Sequence, residues 1–138
     1  MKQLILSVGT ICFLIACSPK QKLITDNTGK PVPQITWDEP TQQLGKIYKG
    51  EQRELEYHFT NTGSADLEIE LVTACNCMSL DWTRFKVAPG GRGIVKVTFD
   101  SSAQKPGPLK KTIDVIANTD PIVVEAFFTV DILNKNKG

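Results

Sequence analysis

Short runs in which apolar and polar residues alternate are the feature that most constrains the fold of this chain. Every second residue is apolar in 54–59 (ELEYHF), and the alternation recurs in 66–71 (DLEIEL) and 95–100 (VKVTFD). Successive side chains of a β-strand point to opposite faces, so a period of two predicts strands with one buried face. The sequence after residue 16 shows no 3.6-residue helical period. We therefore expect an all-β protein.

Turn sequences separate these runs at 61–64 (NTGS), 89–91 (PGG) and 118–121 (NTDP). Short strands at this spacing predict an immunoglobulin-like antiparallel β-sandwich of seven to eight strands. The predicted strands are residues 35–37, 43–48, 53–60, 67–73, 85–87, 94–100, 112–117 and 122–132. The predicted core consists of Leu55, Tyr57, Phe59, Leu67, Ile69, Val95, Val97, Phe99, Ile113, Val115, Ala126 and Phe128.

An apolar run near the N-terminus predicts where the protein acts. Residues 4–16 are too few to cross a bilayer as a stable helix and have the length of a signal-peptide core. The run ends in Leu14-Ile15-Ala16-Cys17, which resembles the lipobox of bacterial lipoproteins. In that class the signal is cut before the cysteine, which carries lipid. We therefore expect residues 1–16 to be a signal peptide and Cys17 to be lipidated. The alternative is an ordinary secretory signal in which Cys17 is incidental.

The residue after Cys17 predicts the destination. Ser18 stands where an Asp retains lipoproteins in the inner membrane of many Gram-negative bacteria, so we expect attachment to the outer membrane, facing the periplasm. Residues 17–34 are rich in turn and breaker residues, and we expect them to form the lipidated cysteine and a flexible tether. The domain is predicted at 35–132 and a polar tail at 133–138.

Charge and composition exclude several function classes. Without residues 1–16, 138 − 16 = 122 residues remain, enough for one domain, and the net charge of +1 loses Lys2 and becomes 0. A neutral chain without a basic block gives no electrostatic footprint for nucleic acid. The chain has one His and no pair of carboxylates whose spacing singles it out, so no set of nucleophile and general base can be proposed. Residues 90–93 (GGRG) lack the Lys-Ser/Thr ending of a phosphate-binding loop. We expect no enzyme activity and no small-molecule substrate.

Five segments occur in an order that resembles a known family. They are GKIYKGE, YHFTNTGSADLEIELVTACNC, FKVAPGGRGIVKVTFD, LKKTIDVIANTD and a final apolar strand. Together they are similar to the bacterial domain-of-unknown-function family 1573 over about residues 35–132. The resemblance implies a small exported or lipid-anchored Ig-like domain and no agreed biochemical activity. The family usually shows Cys-Gly-Cys, whereas this chain has Cys75-Asn76-Cys77 followed by Met78.

The Cys75-Asn76-Cys77 element is the one place where chemistry is predicted, and three interpretations stay open. The two thiols, with the Met78 thioether nearby, are soft donors that suit Cu(I) or Zn(II). They also permit a readily reduced disulfide with a turn at Asn76, or simple packing as small buried side chains. Zinc needs two more ligands, and His58, the only imidazole, has the polar parity of a solvated strand residue. We expect no cofactor beyond the lipid, with copper as an alternative.

The last predicted strand also has apolar residues at the positions that alternate with its core-facing residues. Val123 and Phe127 alternate with the predicted core face, so this strand is apolar on both sides. We expect a central strand covered on both faces; the alternative is an exposed patch or edge for a partner. Two functions follow. The first is a non-enzymatic binding or assembly module for an unidentified envelope protein. The second is a soft-metal or thiol-redox accessory protein.

Overall fold

The computed structural model describes residues 22–135, in which all regular structure is β-strand. The strands are β1 Ile35–Trp37, β2 Thr41–Tyr48, β3 Gln52–Asn61, β4 Ile69–Thr73, β5 Met78–Trp82, β6 Arg92–Asp100, β7 Gly107–Ala117 and β8 Val123–Leu133. They form two four-stranded sheets, ordered β1-β3-β6-β5 and β2-β8-β7-β4. The predicted two-sheet sandwich is confirmed. The predicted signal peptide, Cys17 and the last residues of the predicted tail lie outside the described residues. Within residues 22–135, no helix is long and apolar enough to cross a membrane.

The core lies between the sheets, and every predicted core residue is buried there. Phe99 of β6 and Phe128 of β8 meet across the sandwich with their ring centroids 5.1 Å apart, edge to face. The hydroxyl of Tyr57 donates a hydrogen bond to the backbone oxygen of Phe127 at 2.7 Å, joining β3 to β8. Burial, followed by the nearby charge of Glu39, raises the pKa of Tyr57 well above its usual range, so the phenol stays protonated.

One predicted strand is wrong and one strand was missed. Residues 85–87 are not a strand; only Val87 pairs, through a single bridge to Leu67, and Phe85 is exposed. The missed strand is β5, whose sequence MSLDW alternates partly buried and exposed residues. It pairs with β6 through five successive residues from Met78 to Trp82. The period of two is present in residues 78–82, but this five-residue run is not among the predicted strands.

One strand pair departs from the antiparallel expectation. Strands β2 and β8 run parallel, whereas every other pair among the described strands is antiparallel. The chain leaves the first sheet after β1, and residues 38–40 carry it to the second sheet, where it continues as β2. Pro40 O accepts a hydrogen bond from Phe127 N at 2.8 Å and so begins the new pairing.

Part of the predicted flexible tether is folded onto the domain. Within the predicted tether of residues 17–34, residues 24–32 form a small hairpin closed by one bridge. The backbone N–H of Ser64 donates to Val32 O at 2.9 Å, which docks this hairpin against the turn after β3. Turn and breaker residues predict irregular backbone, but they do not show whether that backbone finds hydrogen-bond partners.

A buried asparagine organises this end of the sandwich. Asn61 is 0% exposed, and its Nδ2 donates to Ala65 O at 2.8 Å and to Val87 O at 2.9 Å. Its Oδ1 accepts from Gly63 N at 3.0 Å and from Gln34 N at 3.2 Å. All four hydrogen-bonding positions of the amide are therefore used. We call this the Asn61 end, and we call the opposite end, where β3 begins, the cysteine end.

Candidate functional site

The cysteine element lies where the chain changes sheets. Strand β4 is an edge of the second sheet and β5 an edge of the first, and residues 74–77 connect them. Two backbone hydrogen bonds fix this connection. Met78 N donates to Cys75 O at 3.1 Å, and Asp100 N donates to Cys77 O at 2.9 Å. The element therefore sits at the cysteine end, beside the last residue of β6.

Cys75 and Cys77 form a disulfide, with their Cα atoms 5.2 Å apart. Of the three interpretations from sequence, the structure has the disulfide, and the interpretation as two buried packing residues is wrong. Cys75 and Asn76 are exposed, and Cys77 is partly buried and packs against the core. The physical reason is the sheet change: the connection runs around the outside of the sandwich, where no strand covers it.

This disulfide adds little to the stability of the fold. A cross-link stabilises mainly by removing loop-closure entropy from the unfolded chain, so its effect grows with the closed loop. Cys75 and Cys77 are two positions apart in sequence. Closing a three-residue loop is worth about 1.6 kcal/mol in the chain-entropy model, compared with about 3 kcal/mol for 15 residues. The fold therefore rests on its core and hydrogen bonds.

A cleft of about 370 Å³ adjoins the disulfide. The residues that line it are Cys75, Asn76, Cys77, Asp100, Ser102, Ala103 and Gln104. The carboxylate of Asp100 accepts from Ser102 N at 2.8 Å and from Gln52 Nε2 at 3.1 Å. Hydrogen bonds from Ser102, and then from Gln52, hold the pKa of Asp100 below its usual range, so the cleft carries a negative charge at neutral pH.

The described residues do not assemble a metal site around the cysteines. Met78 is the first residue of β5, and its partly buried side chain packs against the core. His58 lies on β3 near the other end, with Nε2 3.4 Å from Glu56 Oε2. It is six residues from Gln52, or about 20 Å along the strand. No group of three potential ligands occurs within residues 22–135. Copper binding stays a prediction, and it would require reduction of the disulfide first.

A second candidate surface is the outer face of the second sheet. Strand β8 lies between β2 and β7, but its pairing with β2 begins only at Phe127, so residues 123–126 pair with β7 alone. Val123, the predicted patch residue, is 47% exposed. It stands opposite Ile116 of β7, which in turn stands opposite Leu71 of β4, 45% exposed. These three residues form an apolar row across three strands, which we call the outer row.

Phe127, the other predicted patch residue, is partly covered. Lys110 Nζ lies 4.2 Å from the centroid of its ring, and Phe127 faces Thr112 across the β7–β8 ladder. A cation over an aromatic face is attracted by the ring quadrupole and shields it from water. Phe127 therefore stands apart from the outer row.

Two carboxylates lie beside the outer row. Asp114 of β7 and Glu125 of β8 are direct cross-strand partners, two residues along their strands from Ile116 and Val123 and on the same face. Like charges directly opposite each other destabilise a sheet. The salt bridges found in residues 22–135 include neither of these carboxylates. The outer row is thus flanked by negative charge without a neutralising partner in the described part of the chain.

The outer face of the first sheet differs in composition. Glu56 there contacts both His58 and Lys96, and Arg92 pairs with Asp38. These five charged or ionisable side chains are thus paired among themselves. This is the pattern of a solvated surface.

Comparisons with known proteins agree with this fold. The model of the family described as Protein of unknown function (DUF1573) matches residues 35–132. A protein of unknown function from Porphyromonas gingivalis W83 is similar with a TM-score of 0.59 and 20% identity, over 73% of this chain and 46% of that one. The ASH/PapD-like domain 7 of human CEP192 has a TM-score of 0.61 and 12% identity, over 86% and 99%.

The secreted serine protease VesC of Vibrio cholerae is similar with a TM-score of 0.57 and 15% identity, over 72% of this chain and 23% of that one. No curated protein matches the sequence. The chain thus spans less than half of the Porphyromonas protein and about a quarter of the protease. At these identities the likenesses concern the fold alone.

Proposed function

The chain belongs to the DUF1573 family of proteins of unknown function, and from that premise we propose that its Ig-like domain is a non-enzymatic protein-binding module. We further propose that lipid on Cys17 holds the module at the outer membrane, facing the periplasm. The anchor is supported by the lipobox at residues 14–17, and the binding role by the outer face of the second sheet. The partner is an envelope protein rather than a nucleic acid or a small-molecule substrate.

The outer row is the observation that carries the binding proposal. Leu71, Ile116 and Val123 are neighbours in register, so their side chains form one strip instead of scattered apolar atoms. Ile122, which precedes Val123 in the β7–β8 connection, is 62% exposed. A contiguous exposed apolar strip is favourably buried against a partner, and such patches mark interaction sites. The paired charges of the opposite face offer no comparable gain.

Asp114 and Glu125 define the chemistry of the partner. Because the two carboxylates face each other across the ladder, a Lys or Arg placed between them relieves their repulsion and gains two ion pairs. We therefore expect a partner surface with an apolar ridge and an adjacent basic side chain. Electrostatic complementarity of this kind contributes to specificity and to the association rate.

Site-specific photo-cross-linking in cells tests this surface. A photoreactive residue at Val123 should give a discrete adduct with one envelope protein. Leu71→Lys and Glu125→Lys should each abolish that adduct, because the first inserts a charge into the outer row and the second repels the basic partner. Ser79→Lys is the matched control, since it adds the same charge to the edge strand of the other sheet. An adduct that survives Leu71→Lys would contradict the proposal.

Membrane fractionation tests the anchor separately. Cys17→Ala should move the protein from the outer-membrane fraction to the soluble periplasmic fraction, because the residue that carries lipid is gone. Ser18→Asp should redirect the protein to the inner membrane. If Cys17→Ala stays in the outer-membrane fraction, the proposed lipid anchor is wrong. The proposed binding surface is tested independently by the cross-linking.

A further inference from the structure

The disulfide is not part of the outer row, and its surroundings permit it to be reduced and re-formed. The crossing from β4 to β5 is fixed by Met78 N–Cys75 O and Asp100 N–Cys77 O hydrogen bonds and by the pairing of β5 with β6. None of these contacts requires the sulfur–sulfur bond. Reduction therefore leaves the crossing in place, and both redox states are compatible with one fold.

The two sulfur-bearing residues differ in exposure. Cys75 is exposed and has the exposed Asn76 beside it, whereas Cys77 is partly buried and packs against the core. An incoming thiolate reaches the exposed residue more easily, and access is one of the factors that set the rate of exchange. This asymmetry selects Cys75 as the sulfur that is attacked and Cys77 as the leaving group.

The adjoining cleft gives an incoming donor a place to bind. About 370 Å³ of space lies beside the disulfide, with Asp100, Ser102 and Gln104 in its wall. These side chains supply acceptors and donors of the kind that hold a short stretch of peptide backbone. Binding beside the reacting sulfur converts a collision into a positioned reaction.

We propose that the Cys75–Cys77 disulfide is a thiol–disulfide exchange site that oxidises a thiol donor bound in the adjoining cleft. The donor thiolate attacks Cys75 Sγ, the bond between the two sulfurs breaks, and its electron pair leaves on Cys77 Sγ. A second donor thiol then attacks the donor sulfur of this mixed disulfide and releases Cys75 as a thiolate. In sum, two donor thiols lose two electrons and two protons and become a disulfide, and Cys75 and Cys77 gain them as thiols.

Kinetics on the purified full chain test the exchange. The donors are glutathione and a reduced peptide with a Cys-x-x-Cys pair, used at equal thiol concentration and pH. The reference is a synthetic peptide of residues 73–79 closed by the same disulfide. We expect at least one donor to reduce the protein tenfold faster than this reference while circular dichroism shows the fold intact. Whichever donor reacts faster shows whether the site prefers a protein dithiol or a small thiol as its reductant.

Two results would overturn the proposal. One is a protein disulfide that reacts no faster than the reference peptide, or only after unfolding, because the disulfide is then structural. The other is a glutathione adduct, trapped by acid and located by mass spectrometry, that resides mainly on Cys77. The assay contains the purified chain and a thiol donor but no envelope protein, so failure of the binding module and failure of the exchange site are separable.

Charge in the cleft gives an independent readout. A thiolate is an anion, and Asp100 already places negative charge beside the disulfide. Gln104→Lys should therefore accelerate attack by about threefold or more at low ionic strength, and salt should remove the difference. Gln43→Lys, on β2 of the other sheet, is the control of equal charge and should have no effect. Equal rates for Gln104→Lys and Gln43→Lys would show that donors do not pass through the cleft.

Discussion

The two ends of the sandwich place their distinctive polar residues in opposite environments. At the Asn61 end, one buried amide satisfies four backbone groups and is closed to solvent. At the cysteine end, Cys75 and Asn76 are exposed beside an open cleft. A buried and fully paired polar group fixes a structure, whereas an exposed reactive group is available to reagents. The comparison indicates that the first end serves stability, and the exchange reaction proposed above depends on the exposure of the second.

Removal of the Asn61 amide should have the largest effect on stability. Asn61→Ala leaves the backbone groups Ala65 O, Gly63 N and Gln34 N without their side-chain partner, whereas Val87 O keeps its bond from Leu67 N. Each buried orphan costs about 1–3 kcal/mol. Because some of these groups will find water, we expect a total loss of about 3–5 kcal/mol, measured by urea denaturation. Asn118→Ala is the control, since Asn118 makes two similar bonds, to Glu68 N and Asp66 O, but is exposed. It should cost about 1 kcal/mol. Equal losses would break the comparison.

A methyl group at Gly63 should separate the docked hairpin from the domain. A Cβ at this position would lie 2.4 Å from both Gln34 N and Val32 O, which are backbone atoms that cannot move independently. We expect Gly63→Ala to cost about 1–3 kcal/mol, as overpacking usually does. Limited digestion with endoproteinase Asp-N should then cut faster before Asp26, with the core of the domain intact. Unchanged cleavage would show that residues 24–34 do not depend on this contact.

Loss of the disulfide should have a smaller effect. Cys75→Ser combined with Cys77→Ser removes a three-residue loop closure, and we expect a loss of about 1–2 kcal/mol in the same urea experiment. The reduced wild-type protein is the control and should match the double variant. A loss above about 4 kcal/mol would assign the disulfide a structural role and weaken the contrast between the two ends.

Acid should reveal the smallest effect, an exposed ion pair near the Asn61 end. The hydrogen bond and charge of Arg92 hold the pKa of Asp38 below its usual range. A lowered folded-state pKa means that the contribution is present above the unfolded pKa of about 3.8 and is lost as pH falls through the folded pKa. Thermal melts should therefore show a slightly steeper loss below pH 4 for the wild type than for Arg92→Ala. Identical profiles would mean that the pair contributes nothing.

Alternation of apolar and polar residues was sufficient to predict most of the sandwich. It located the strands that carry Tyr57, Phe99 and Phe128, because burial of one face leaves a mark on every second residue. It did not reveal that β2 pairs with β8 in parallel. That pairing depends on the change of sheet after β1, which leaves no periodic signal.

The candidate site was predictable in identity but not in environment. The sequence identified Cys75, Cys77 and Val123, because a cysteine pair, or an apolar residue at a strand position that should face solvent, can be recognised without a structure. The outer row was not predicted, because the alignment of Leu71 with Val123 through Ile116 follows from strand register. Asn61 was noted as part of a turn, and its burial became apparent only in three dimensions.

The docked hairpin also determines how far from a membrane the disulfide can operate. If Cys17 carries lipid, residues 17–23 are the only part of the chain between the anchor and the hairpin, and they reach at most about 25 Å. The ten residues of β3 span about 33 Å from the Asn61 end, where the hairpin docks, to the cysteine end. The disulfide can then lie at most about 60 Å from the bilayer surface. A thiol donor must enter that layer to be oxidised, so a lipid anchor would restrict the reaction to proteins that pass close to the membrane.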